Sequence, residues 1–160
     1  MKQIAKAALL ATIFCYLAPD GAQARDRHVG YYYPKPQTIE TYKARARPLS
    51  GVDKGKRIQF VVNLNVHMLK RPYAPPYSVF VKGKFGEKLI IVANQEGTLN
   101  TLFRIRGLLA TLTQMARTMP IFTEFKLGEV LTFFDLLHML GYKRLTVSDG
   151  DKLAHQVLLK

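Results

Sequence analysis

The chain has 160 residues, 48% of them hydrophobic, with no Trp, one Cys and 24 Lys+Arg against 11 Asp+Glu for a formal net charge of +13. That apolar fraction supports a packed core and argues against wholesale disorder, and the length suits one domain. No unbroken apolar run reaches the roughly 18 to 20 residues of a spanning helix, and the patterns of collagen, coiled coils and disulfide scaffolds are missing, which leaves a small basic globular protein.

Residues 1 to 24 read as a secretory signal peptide. Lys2 and Lys6 precede an almost wholly apolar stretch from Ala7 to Ala18, and Ala22-Gln23-Ala24 supplies small residues for cleavage after Ala24. The apolar stretch is too short for a comfortable span; Arg25, Arg27 and His28 just beyond it oppose translocation and keep an uncleaved anchor as the alternative. Cys15 follows the bulky Phe14, which does not suit lipoprotein processing, and cleavage leaves a chain without cysteine, hence without disulfides, thiolate metal sites or a Cys nucleophile. The expected destination is the periplasm or the exterior. There a strongly basic chain meets anionic envelope polymers, lipid surfaces, exported proteins or, less favoured, nucleic acid.

Residues 25 to 57 read as a basic extended arm, interrupted by Pro34, Pro36 and Pro48. Tyr31, Tyr32, Tyr33 and Tyr42 interleave with Lys35, Lys43, Arg45 and Arg47, a composition that stacks on rings while neutralising anions, although a solvated linker has the same look. His28 falls fourth after cleavage, one place too far for an amino-terminal copper clamp.

Residues 58 to 160 read as an α+β domain. From Ile58 to Leu69 apolar and polar residues alternate, which predicts a half-buried strand, and Tyr77–Lys82 and Lys88–Asn94 predict a hairpin around Gly83–Glu87. Leu99 to Met119 has helical spacing, with Thr98 as N-cap and Pro120 as stop, and Leu127 to Leu140 predicts a second, mostly buried helix capped by Gly141. Lys143–Ser148 and Lys152–Leu159 around Asp149-Gly150 predict a two-residue hairpin. The order is βββααββ: an antiparallel sheet of about five strands with both helices on one face.

On that reading Asn63, Asn65 and His67 stand in a row about 7 Å apart on the open sheet face, joined by Arg144, Thr146 and Ser148, where amides, hydroxyls and a guanidinium can bind a glycan or phosphate. An ordinary solvated face has the same alternation. Arg104, Arg106, Arg117 and Lys126 add a cationic surface, and Lys82, Lys84 and Lys88 protect a hairpin edge. Asp135 and His138, three apart on a helix, have the spacing of a base pair for catalysis, without a nucleophile beside them. The four histidines lack metal-pair spacing, Asp149-Gly150-Asp151 lacks the later ligands of a calcium loop, and the familiar catalytic signatures are missing. The expectation is an exported, monomeric, non-enzymatic protein without metal or cofactor that binds an anionic or glycan-bearing envelope component. The alternatives are a small cofactor-free hydrolase or lyase using His67 or Asp135/His138, and an accessory subunit docking through the sheet face.

Overall fold

The computed structural model describes residues 33–70, 72–119 and 132–160. The expected signal peptide with its cleavage site, His28, Tyr31, Tyr32, Lys126 and the first part of the second expected helix lie outside them. In chain order the elements are β1 (Thr38–Tyr42), α1 (Lys54–Leu69), β2 (Tyr77–Lys82), β3 (Lys88–Ala93), α2 (Leu102–Arg117), α3 (Phe133–Met139), β4 (Arg144–Ser148) and β5 (Ala154–Leu159).

The strands form one sheet in the order β1-β5-β4-β3-β2. Both expected hairpins are present, β2 against β3 with Tyr77 opposite Ala93, and β4 against β5 with Ser148 opposite Ala154. The sheet is mixed rather than antiparallel. β4 runs parallel to β3 because the helical connection between them crosses one face of the sheet and returns the chain in the same direction, and β1 runs parallel to β5. The connection of β4 to β5 is longer than two residues: Asp149 Oδ1 accepts from the backbone N–H of Asp151, Lys152 and Leu153, and Gly150 takes φ 83°.

The α+β class therefore stands, and the main correction is α1. Residues 58 to 69, expected as a strand, lie in a 16-residue helix whose N-cap, Asp53, accepts from Lys56 N at 2.8 Å. The buried positions are Phe60, Val61, Leu64 and Met68, an i, i+1, i+4, i+8 set that belongs to a 3.6-residue period. The alternation is genuine, but three of its members, Ile58, Val62 and Val66, face solvent rather than a core. The fifth strand is supplied by Thr38–Tyr42, within the stretch expected to run as an extended arm. α2 starts three residues later than expected, with Thr101 rather than Thr98 as its N-cap.

One core lies between the sheet and the helices. Phe60, Leu64 and Met68 from α1, Ile105 and Leu112 from α2, and Phe133, Leu136 and Leu137 from α3 pack on Leu89, Ile91, Leu145, Val147, Val157 and Leu159 of the sheet. Arg57, at the start of α1, ties this assembly together. Its guanidinium donates to Leu140 O and Phe85 O, each at 2.7 Å, and to Val52 O at 3.4 Å.

The face turned away from the helices is not the open hydrogen-bonding surface expected. Thr146 and Ser148 are buried, and Ser148 Oγ is used within the β4–β5 connection, donating to Leu153 O and accepting from Gly150 N. Arg144 is half-buried at the start of the same strand.

Candidate functional site: a cleft beside the first helix

Recasting residues 54 to 69 as a helix redistributes the expected row of polar side chains. At about 100° per residue, Lys56, Gln59, Asn63 and His67 follow one another along one side of α1, with Lys70 just beyond its end. Asn65 falls on another side, where Nδ2 donates to Val79 O at 2.9 Å and Oδ1 accepts from Val79 N at 3.3 Å. Asn63 and His67 therefore stay together, and Asn65 leaves them for a role at the sheet edge.

The side that carries Asn63 and His67 forms one wall of a cleft of about 660 Å³, within the range of small-molecule sites. Leu49, Ser50 and Val52 line it from the loop before α1, Thr118 and Met119 from the end of α2, and Leu140 from the end of α3. Phe60, Val66, Met119, Leu140, Leu49 and Val52 make its surface largely apolar, while Lys56, Gln59, Asn63, His67 and Lys70 bring amides, an imidazole and two ammonium groups. Among the described residues no carboxylate lines it. Gln59 Nε2 donates to Asn63 Oδ1 at 2.9 Å, which fixes the Asn63 amide and leaves its own N–H groups to the cleft side of the helix.

The backbone leading into the cleft is pinned. Ala44 N donates to Lys160 O at 2.7 Å, Arg45 N to Asp135 Oδ1 at 2.8 Å, His138 Nδ1 to Ala46 O at 3.0 Å and Leu49 N to Met139 O at 2.9 Å. Along this extended segment burial alternates, so Lys43, Arg45 and Arg47 point to solvent in a row while Tyr42, Ala44 and Ala46 turn inward. The three expected cations of the arm are thus presented from a fixed backbone.

Asp135 and His138 do not form a pair. Asp135 is buried and accepts from Arg45 N, from Tyr42 OH and Thr132 N at 3.1 Å each, and from Thr132 Oγ1 at 3.2 Å. Burial alone would raise its pKa, but the hydrogen bonds from the Arg45 and Thr132 N–H groups and the two hydroxyls outweigh it and hold the carboxyl below its usual range. His138 is occupied by Ala46 O. Arg104 is exposed at the start of α2, where its guanidinium donates to Gly97 O.

His155 is buried, with Nδ1 2.7 Å from Thr38 Oγ1 and Nε2 3.8 Å from Glu40 Oε2, and burial pushes its pKa down. Among the described residues no cluster of three His, Cys, Asp or Glu is placed to hold a metal ion, and no helix is long and apolar enough to cross a membrane.

The lining residues Leu49, Val52, Lys56, Gln59, Lys70, Met119 and Leu140 were not singled out from sequence. The 56/59/63/67/70 spacing is the one sequence signal for them, and it places these residues on one side only if the stretch is helical. No family model matches the chain, and comparison with curated proteins and with solved structures finds no match either.

Proposed function

We propose that the protein is an exported, non-enzymatic binding protein whose ligand is an anionic amphiphile of the cell envelope, held in the cleft beside α1. The cleft lining carries this reading, since an apolar surface of ligand size meets Lys56 and Lys70 with no opposing carboxylate among the described residues. An acyl chain or similar apolar group suits Phe60, Met119 and Leu140, and a phosphate or carboxylate head suits the ammonium groups, the Asn63 amide and His67. The solvent-facing row Lys43, Arg45 and Arg47 and the net charge of +13 favour encounter with such a ligand. The hydrolase reading built on Asp135 and His138 has no contact between them to support it, because each is bonded elsewhere.

The test is calorimetric titration with dodecyl phosphate, with inorganic phosphate and dodecanol as probes that keep only the charge or only the chain. Dodecyl phosphate should bind, both controls should bind far more weakly, and Lys56→Gln with Lys70→Gln should weaken binding on the order of tenfold. Equal binding of phosphate and dodecyl phosphate, or none of either, overturns the proposal.

A further inference from the structure

The side of α1 opposite its core-facing residues carries a second feature. Ile58, Val62, Val66 and Leu69, at i, i+4, i+8 and i+11, form an apolar line that is 42%, 46%, 46% and 68% exposed. A helix on the surface of a domain ordinarily shows polar residues there. The ends of this line are cationic. Lys54 stands in the first turn on this side and Lys70 follows the end of the helix, and between the N-cap Asp53 and Lys70 α1 contains no Asp or Glu.

The Asp53 carboxylate at the N-cap offsets part of the unfavourable meeting of Lys54 with the macrodipole, but an apolar line in water gains nothing. Next to the first turn lies the β2–β3 tip. Phe85, 63% exposed, is bound to α1 through Arg57 Nη1, and Lys84 Nζ stands 5.4 Å from its ring. Exposed apolar side chains with a lysine at each end match the boundary of an anionic bilayer, where apolar groups enter the acyl region and ammonium groups stay at the headgroups.

We infer that the outer side of α1 docks the protein on an anionic lipid surface, with Ile58, Val62 and Leu69 entering the bilayer boundary and Lys54 and Lys70 on its headgroups. Charge complementarity selects lipid over a second copy of the chain, since two copies facing each other through α1 would bring cations against cations. This surface adjoins the cleft and shares Val66 and Lys70 with it, while Lys54, Ile58, Val62 and Leu69 lie outside the cleft lining.

The experiment is co-sedimentation of the protein, purified from cells expressing the full chain, with vesicles of phosphatidylglycerol mixed with phosphatidylcholine or of phosphatidylcholine alone. Binding should be confined to the anionic vesicles, fall steeply with salt, and drop on the order of tenfold or more in an Ile58→Gln/Val62→Gln/Leu69→Gln variant with an unchanged melting temperature. The Ile39→Gln variant, exposed on β1, should bind as the parent does. Equal binding to neutral vesicles, or indifference to the α1 variant, overturns the inference, as does a concentration-dependent dimer that the same variant abolishes while vesicle binding persists. Lys56→Gln with His67→Gln, both in the cleft lining and neither on the apolar line, read by dodecyl phosphate titration and by vesicle binding, separates failure of the cleft from failure of the docking surface. The α1 variant should leave that titration unchanged.

Discussion

Asn65 binds both backbone groups of Val79, donating from Nδ2 to its carbonyl at 2.9 Å and accepting its N–H on Oδ1 at 3.3 Å. Among the described strands β2 lies at the edge of the sheet, and alternate residues of such a strand turn an N–H and a C=O away from the neighbouring β3. The side-chain amide has one donor and one acceptor at the spacing of a peptide group, so it completes at this residue the pairing that a sixth strand would otherwise make.

Asn65→Ala should therefore cost about 1–3 kcal/mol, because two backbone groups lose their partners. It should also raise concentration-dependent aggregation by freeing the edge. Asn63→Ala, exposed two residues earlier, should stay within about 0.5 kcal/mol of the parent. Urea unfolding of the two variants gives the contrast, and equal stabilities would remove Asn65 from its assigned place at the edge.

Arg57 and Gly141 make a second dependent pair. Gly141 takes φ 76°, and a Cβ there would land on the Arg57 guanidinium. Gly141→Ala should cost about 1–3 kcal/mol for the backbone conformation and more for displacing a group that satisfies Leu140 O, Phe85 O and Val52 O. With Arg57→Ala already present only the conformational part remains, so a double-mutant cycle should give a coupling of about 1 kcal/mol or more. Additivity within about 0.5 kcal/mol would show that the guanidinium yields without cost.

The two hairpins were legible because their signals are local. Gly83 and Gly86 take positive φ in the β2–β3 turn, Gly150 does so after β4, and the alternating residues beside them belong to strands. Residues 58 to 69 carry the pattern of a strand because Ile58, Val62, Val66 and Leu69 add an apolar line on the side away from the core. With that line present, period 2 and period 3.6 fit the same stretch. Length was the available arbiter: a 12-residue strand is about twice the usual size, and no Gly or Pro interrupts 56 to 71.

β1 had no such arbiter, because its pairing of Thr38 with His155 joins residues far apart in sequence among lysines and prolines that locally disfavour a strand. The cleft was invisible for the same reason. Leu49, Phe60, Met119 and Leu140 meet only once the chain has folded.

Asp135 gives the fold a pH dependence of definite sign. Its folded pKa lies below the unfolded value of about 3.9, so its stabilising contribution is complete above that value and is lost as pH falls through the folded pKa. Asp135→Asn keeps an acceptor but turns an amide toward the Tyr42, Thr132 and Arg45 donors, and it should cost about 1–3 kcal/mol at neutral pH. The stability gap between parent and variant should be constant from pH 7 to about pH 5 and close progressively below about pH 4. Unfolding curves across that range decide it, and a gap that persists to about pH 2 would mean that the carboxylate is not what the four donors hold. The same tuning bears on chemistry: a carboxylate held below its usual range by four hydrogen bonds is a weak proton acceptor at neutral pH. It orders the segment from Tyr42 to Arg45 against α3, and through that segment the row of cations that leads to the cleft.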